Sequence, residues 1–431
     1  MKLHRRFWGV VVVVAALVGH AKAQDYLLDY GPPPDRVSEL PTPFTPFEEP
    51  VERGRLGTFS SEPFIRDAVF SLDPRFYYRY LRNSRGSSDV LAGGGTMGLT
   101  TGEWLGVVQF GVVGYTTQPL TDLDGADPTG LVGTDGEGFT TLGEAWAKLS
   151  YKTVTATLFR QRLDLPFING NDSRMLPNTF EAYQVEAELT EGVRVNAGYV
   201  AKMRARNSPD FIRMSDAAGA PEVSRGVTFV SLLLGSEDKT YFDANTQVTR
   251  DLFMSTYIQT GHTWQLNPEV ELRGDLQFAD QRSVGDDLIG DFDTQFYGAR
   301  LAASYRGAVL SFMATSTGSR SGIVDPYGVD PGFNGMMLSG FALRDERSVG
   351  TSLSYDFAKV GLEGLTAWAH YAYGRLPSDN HEQEINVTVD YRITEGYLKN
   401  FWLRVRYAHL DEKRGSSTED FRVIVNYSLA F

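Results

Sequence analysis

Cysteine is absent from the 431-residue sequence, which excludes a disulfide framework and thiolate metal sites. Histidine is scarce: of six, only His262, His370, His381 and His409 lie beyond residue 23. No H-E-x-x-H or G-x-S-x-G accompanies them, so the sequence lacks the metalloprotease and serine-hydrolase motifs and no enzymatic activity is expected. No cofactor is indicated. Basic residues are also in deficit, 41 Lys and Arg against 54 Asp and Glu, which argues against nucleic acid as a partner. Long apolar runs are missing as well. That absence does not exclude a membrane, because strands of a transmembrane barrel carry apolar residues only at alternate positions.

The N-terminus suggests export. Lys2, Arg5 and Arg6 precede an apolar stretch from Phe7 to Gly19, and Ala21-Lys22-Ala23 reads as a cleavage site. The apolar stretch is too short for a spanning helix, which needs about 20 residues. Residues 1–23 are therefore expected to be a signal peptide and the mature chain to begin near Gln24. Its loss removes four bases and no acid, leaving 37 bases against 54 acids, an excess of 17 negative charges. Residues 24–64 are rich in proline and acid, as in Gly31-Pro32-Pro33-Pro34 and Pro46-Phe47-Glu48-Glu49-Pro50. Such a composition cannot bury enough apolar surface to fold alone and reads as a flexible periplasmic extension, a plug in a pore being the alternative.

From residue 65 to 431 the pattern is alternation. Phe421, Val423, Val425, Tyr427, Leu429 and Phe431 share one face, and Arg422, Ile424, Asn426, Ser428 and Ala430 the other. Eighteen such segments can be counted, beginning with 66–82, 90–100 and 104–116 and ending with 384–394, 400–410 and 419–431. Brief turns (Thr101-Gly102, Thr190-Glu191-Gly192, Arg306-Gly307) alternate with long connections at 117–138, 163–178, 204–225, 280–293 and 317–346. The connection at 249–251 is short where a long one is due. The expected fold is an all-β, transmembrane antiparallel barrel of about 18 strands, with turns on the periplasmic side and long extracellular loops. Tyr78, Tyr80, Tyr151, Tyr183, Tyr305, Tyr355, Tyr373, Tyr407 and Phe431 are candidates for its aromatic girdles. A soluble propeller or sandwich would require a repeat of about forty residues, and none is present.

Several stretches carry a family resemblance. Gly143-Glu144-Ala145-Trp146-Ala147-Lys148-Leu149-Ser150-Tyr151-Lys152, the run Asn169 to Glu181, Asp390-Tyr391-Arg392 and Leu403-Arg404-Val405-Arg406-Tyr407-Ala408 resemble the OprD family of substrate-specific outer-membrane porins over roughly residues 65–431. Ala182 departs from it, standing where glycine is usual. The resemblance implies an eighteen-stranded, monomeric channel in a bacterial outer membrane, in contact with lipid and lipopolysaccharide. Its implied partner is a small, usually carboxylate-bearing solute, guided by basic residues on the wall and narrowed by an inward loop.

Strand parity gives a basic ladder independently of that likeness. If Phe76, Tyr78 and Tyr80 face outward, Arg75 and Arg79 face inward, and closure of an even-stranded barrel sets the first strand beside the last. Arg392, Arg404, Arg406 and Arg422 join them on the inner wall. Arginine suits a carboxylate because its planar fork offers paired donors and keeps its charge. In the third loop on the extracellular side, Arg174 is expected to line the constriction, with Asp172 and Ser173 shaping the turn. Asp325, Asp330, Asp345 and Glu346 in loop 317–346 are candidates for an acidic opposite side. A general, non-selective porin and a barrel-anchored adhesin are the alternative readings.

Overall fold

The computed structural model describes residues 62–123, 125–236, 238–412 and 416–430. The expected signal peptide and all but the last three residues of the extension lie outside them. Eighteen strands form one closed antiparallel sheet. They are β1 (Val69–Asn83), β2 (Gly86–Thr100), β3 (Val108–Pro119), β4 (Phe139–Tyr151), β5 (Val154–Gln161), β6 (Thr179–Thr190), β7 (Val193–Arg204), β8 (Val227–Gly235), β9 (Thr240–Thr249), β10 (Phe253–Asn267), β11 (Val270–Ser283), β12 (Asp293–Tyr305), β13 (Ala308–Thr317), β14 (Arg347–Asp356), β15 (Leu365–Leu376), β16 (Asn380–Arg392), β17 (Phe401–Glu412) and β18 (Ser417–Tyr427). Leu429–Ala430 prolongs the last strand. Closure comes from β1, which pairs β2 from Val69↔Thr100 to Asn83↔Gly86 and β18 from Arg75↔Asn426 to Arg82↔Glu419. Among the described residues the wall has no open edge to aggregate.

The alternation dictates this wall. Along β1, Phe76 is 52% exposed and Tyr77 1%; along β16, Ile385, Val387 and Val389 point outward while Glu384, Asn386 and Thr388 are buried inside. Among the girdle candidates Tyr151, Tyr183, Tyr305, Tyr373 and Tyr407 are exposed, Tyr78, Tyr80 and Tyr355 half-buried, and Phe431 lies outside the described residues. Close approach is managed by glycine. A Cβ on Gly111 would stand 2.2 Å from the Trp146 ring, and one on Gly143 2.6 Å from that of Tyr115, so each aromatic lies across a bare backbone on the neighbouring strand.

The two rims differ as expected. On one, Arg306 (φ 48°) and Gly307 (φ 86°) make a two-residue turn of the kind that matches strand twist, and Lys152-Thr153 and Glu191-Gly192 are equally brief. On the other, connections run through 120–138, 162–178, 205–226, 284–292 and 318–346. The connection at 250–252 is short, as the sequence indicates. Two more short connections occur on this rim, at 84–85 and 377–379, where the alternation suggested longer loops. Left-handed backbone at Ser378 (φ 61°) and Asp379 (φ 57°) lets β15 and β16 pair to their tips. The turn at 101–107 is longer than expected, because Trp104 bridges back to Val108 and Gly102 N–H bonds Phe64 O at 3.0 Å. That contact docks a short helix, Pro63–Arg66, beneath the barrel.

The upper lumen is filled by its own loops. Leu163, Ile168, Phe180, Met203, Met214, Phe229, Phe253 and Tyr327 belong to one buried cluster, drawing on loops 162–178, 205–226 and 318–346. A second, including Tyr77, Tyr115, Leu131, Met175 and Trp402, packs loops 120–138 and 162–178 on the wall.

Candidate constriction of the channel

Loop 162–178 turns into the lumen through a two-rung hairpin, Asp164–Leu165 against Ile168–Asn169. Arg75 then fixes its tip: Nη1 donates to Asp172 Oδ1 at 2.8 Å and to Arg174 O at 2.6 Å, and Nη2 to Asp172 Oδ2 at 3.1 Å. Tyr77 OH donates to Ser173 O at 3.1 Å. Asn169 ties the loop to loop 318–346, its Nδ2 donating to Val329 O at 2.9 Å and its Oδ1 accepting from Val329 N at 3.1 Å.

Loop 318–346 is held by carboxylates of β16. Glu384 accepts from Leu338 N at 3.1 Å and Ser339 N at 2.8 Å, and Glu382 accepts from Ser339 Oγ. At the loop's end Glu346 accepts from Leu343 N at 2.9 Å. Burial, followed by the nearby Glu382 carboxyl, pushes Glu346 up to about 8. Asp330 is pushed up to about 7 by burial and then by Asp325.

Between the loops and the wall lies a cavity of ≈ 290 Å³. Asp172, Ser173, Arg174, Asp325 and Asp330 line it, as do Arg404, Arg406 and Arg422 from the wall. The other expected positions fall elsewhere. Arg75 and Arg79 face inward but are 2% and 3% exposed and hold loops instead of lining the cavity. Arg75 grips loop 162–178; Arg79 pairs with Asp420 at 2.6 Å and donates to Thr129 O of loop 120–138. Parity identifies the face of a strand, not what a loop later brings against it. Arg392 ends β16 at the rim, exposed. Asp345 is exposed and Glu346 is buried behind the loop, so neither lines the cavity, and the acidic side reduces to Asp325 and Asp330.

The lining arginines differ in pairing. Arg404 forks onto Asp390 at 2.7 and 3.0 Å, and Arg422 onto Asp420 at 3.0 and 2.6 Å. Arg406 donates to Thr388 Oγ1 at 3.2 Å and has no carboxylate partner among the described residues. Its guanidinium stands 6.0 Å from the centre of the Trp368 ring on the wall. Arg174 donates to Ser173, to O at 2.9 Å and Oγ at 3.4 Å. Burial, then Arg79, Arg422 and Arg206, pull its pKa well below the ordinary guanidinium value.

Two lining arginines were not foreseen. Arg206 enters from loop 205–226 and donates to Ser173 Oγ at 2.5 Å; burial and then Arg422 and Arg79 lower it to about 10. Nothing in the sequence marks that loop as folding inward. Arg300 on β12 lines the cavity, paired with Asp275 at 3.0 Å beneath the Phe333 ring. Inward parity with Thr294, Phe296 and Gly298 would have revealed it.

Comparison with known proteins agrees with this geometry. Porin D of Pseudomonas aeruginosa is 23% identical over 413 residues, covering 85% of this chain and 92% of the relative. Among solved structures, OpdK of P. aeruginosa with vanillate superposes with a TM-score of 0.78 at 22% identity, over 85% of this chain and all of the other. A BenF-like porin from Pseudomonas fluorescens gives 0.77 at 21%, with the same coverage. At such identities the structures establish the fold alone. Residues 62–431 match the family described as outer membrane porin, OprD family, and the chain therefore belongs to that family: an outer-membrane channel and not an enzyme.

Proposed function

We propose that the channel passes small carboxylate-bearing solutes passively and selectively, reading them at the constriction between loops 162–178 and 318–346. The observation that carries this reading is the asymmetry of the cavity. Arg174, Arg206 and Arg406 face it without carboxylate partners among the described residues, while the acids Asp325 and Asp330 line it from loop 318–346. A carboxylate finds forked donors there, and a solute that also carries an amine finds acids in the same cavity. The paired Arg404 and Arg422 supply field without holding the solute, which suits conduction, since a site must release as readily as it binds. The chain acts as a monomer in this reading, its exposed apolar band meeting lipid and lipopolysaccharide, after export by a cleaved leader.

Liposome swelling tests the proposal. Full-length protein should admit a small carboxylate faster than an uncharged solute of equal size. Equal rates would leave a general porin as the better description.

A further inference from the structure

The guanidiniums without carboxylate partners are clustered as well as numerous. Arg174 and Arg206 come from different loops, yet both donate to Ser173, at 2.9 Å to its carbonyl oxygen and at 2.5 Å to its hydroxyl. On the wall of the same cavity Arg406 stands in register with Arg422 across β17 and β18, and Arg422 with Arg79 across β18 and β1. In that row one carboxylate, Asp420, serves both Arg79 and Arg422, and Arg406 has none among the described residues. Asp172, the acid nearest the loop tip, is taken by Arg75. One incoming carboxylate would therefore offset only part of the positive charge gathered here.

We infer that the Arg174–Arg206–Arg406 cluster is a site for a solute bearing two negative charges, a dicarboxylate, in preference to a monocarboxylate. The inference rests on the carboxylate reading above and adds to it the number of charges. One carboxylate is held between the two loop arginines, whose guanidiniums share Ser173, and the second by Arg406 on the wall. Each is a charge-assisted contact in a confined space where the guanidiniums otherwise repel one another.

An isosteric series provides the test. Succinate, succinamate and succinamide have nearly the same size and carry two, one and no negative charges at neutral pH. Full-length protein in liposomes is given labelled succinamate, and each unlabelled compound is titrated until the labelled flux is halved, a measure that registers binding whether or not the competitor passes. Succinate should halve the flux at a concentration at least about ten-fold below that of succinamate, as one further charge-assisted contact implies. In R174Q/R206Q that ratio should fall towards one. Succinate no better than succinamate in the native chain overturns the inference while leaving the carboxylate reading in place. Succinamide as effective as succinamate removes the carboxylate reading itself. The native series stands on its own if the double variant does not assemble, and a native preference undiminished in an assembled double variant overturns the assignment to these two arginines.

Discussion

Arg406 and Arg422 sit opposite one another on β17 and β18, yet only Arg422 is matched to a carboxylate among the described residues, at 2.6 Å from Asp420. Neighbours on one wall thus have different tasks. Arg422 is part of the fold, locked with Arg79 onto a shared acid, whereas Arg406 offers its remaining donors to the cavity. R406Q should therefore lower carboxylate uptake by about ten-fold, the equivalent of one charge-assisted hydrogen bond, and leave the heat-modifiable migration of the barrel intact. Unchanged uptake of a radiolabelled carboxylate would remove Arg406 from the solute path.

Arg404 should respond differently. Its partner Asp390 is 4% exposed, and R404A strands that charge. Breaking a buried pair costs roughly 3–5 kcal/mol, and water in the lumen sets the expectation near the lower bound, about 3 kcal/mol. Urea unfolding in detergent micelles should show the loss, and R404A/D390N should recover part of it. An R404A barrel as stable as the native one would mean that Asp390 is solvated.

R75A should release the tip of loop 162–178, since the one guanidinium holds Asp172 and the carbonyls of Arg174 and Met175. Single-channel conductance should rise, and protease should cut the loop faster. Removing residues 168–176 should raise conductance further, because it also deletes the tie through Asn169. If R75A conducts like the native chain, the remaining ties of the loop, among them those of Asn169, Tyr77 and Arg206, suffice to hold it.

Glu346 gives a pH dependence of definite sign. Its pKa rises from an ordinary 4.5 to about 8 in the folded loop, so between those values the folded state binds more protons than the unfolded one. Stability then falls as pH rises through that window, and the favourable condition is the acidic one. Loop 318–346 should be most tightly seated below about 4.5 and loosest above about 8, seen as growing current noise in planar bilayers. E346Q should weaken that trend, and Asp330 of the same loop, raised to about 7, supplies what remains. A noise level independent of pH in the native channel would contradict it.

Much of the barrel was legible because a wall between lipid and water leaves its period in the sequence. The faces of β1, β16 and β18 follow from alternation alone, and closure puts their inward arginines on one stretch of wall; that Arg79, Arg422 and Arg406 lie in one row comes from the register of the pairing. The limits of the reading lie in the loops. Nothing in their composition marks 205–226 as bringing Arg206 to the cavity, and parity could not tell that Arg75 and Arg79 would be occupied by Asp172 and Asp420. The tips of β2 and β16 were missed for a different reason: Asp89 and Gln383 interrupt the outward apolar pattern, but above the membrane a strand has no need of it. Arg300, by contrast, was within reach of parity on β12.

The tie between Asn169 and Val329 joins two loops that otherwise share no neighbouring strand. Because each is also fastened to the wall by its own arginine or glutamates, the aperture is set by a few polar stitches laid over a rigid cylinder. Re-tailoring it for a different nutrient would take only replacement of those stitches, with the cylinder left untouched.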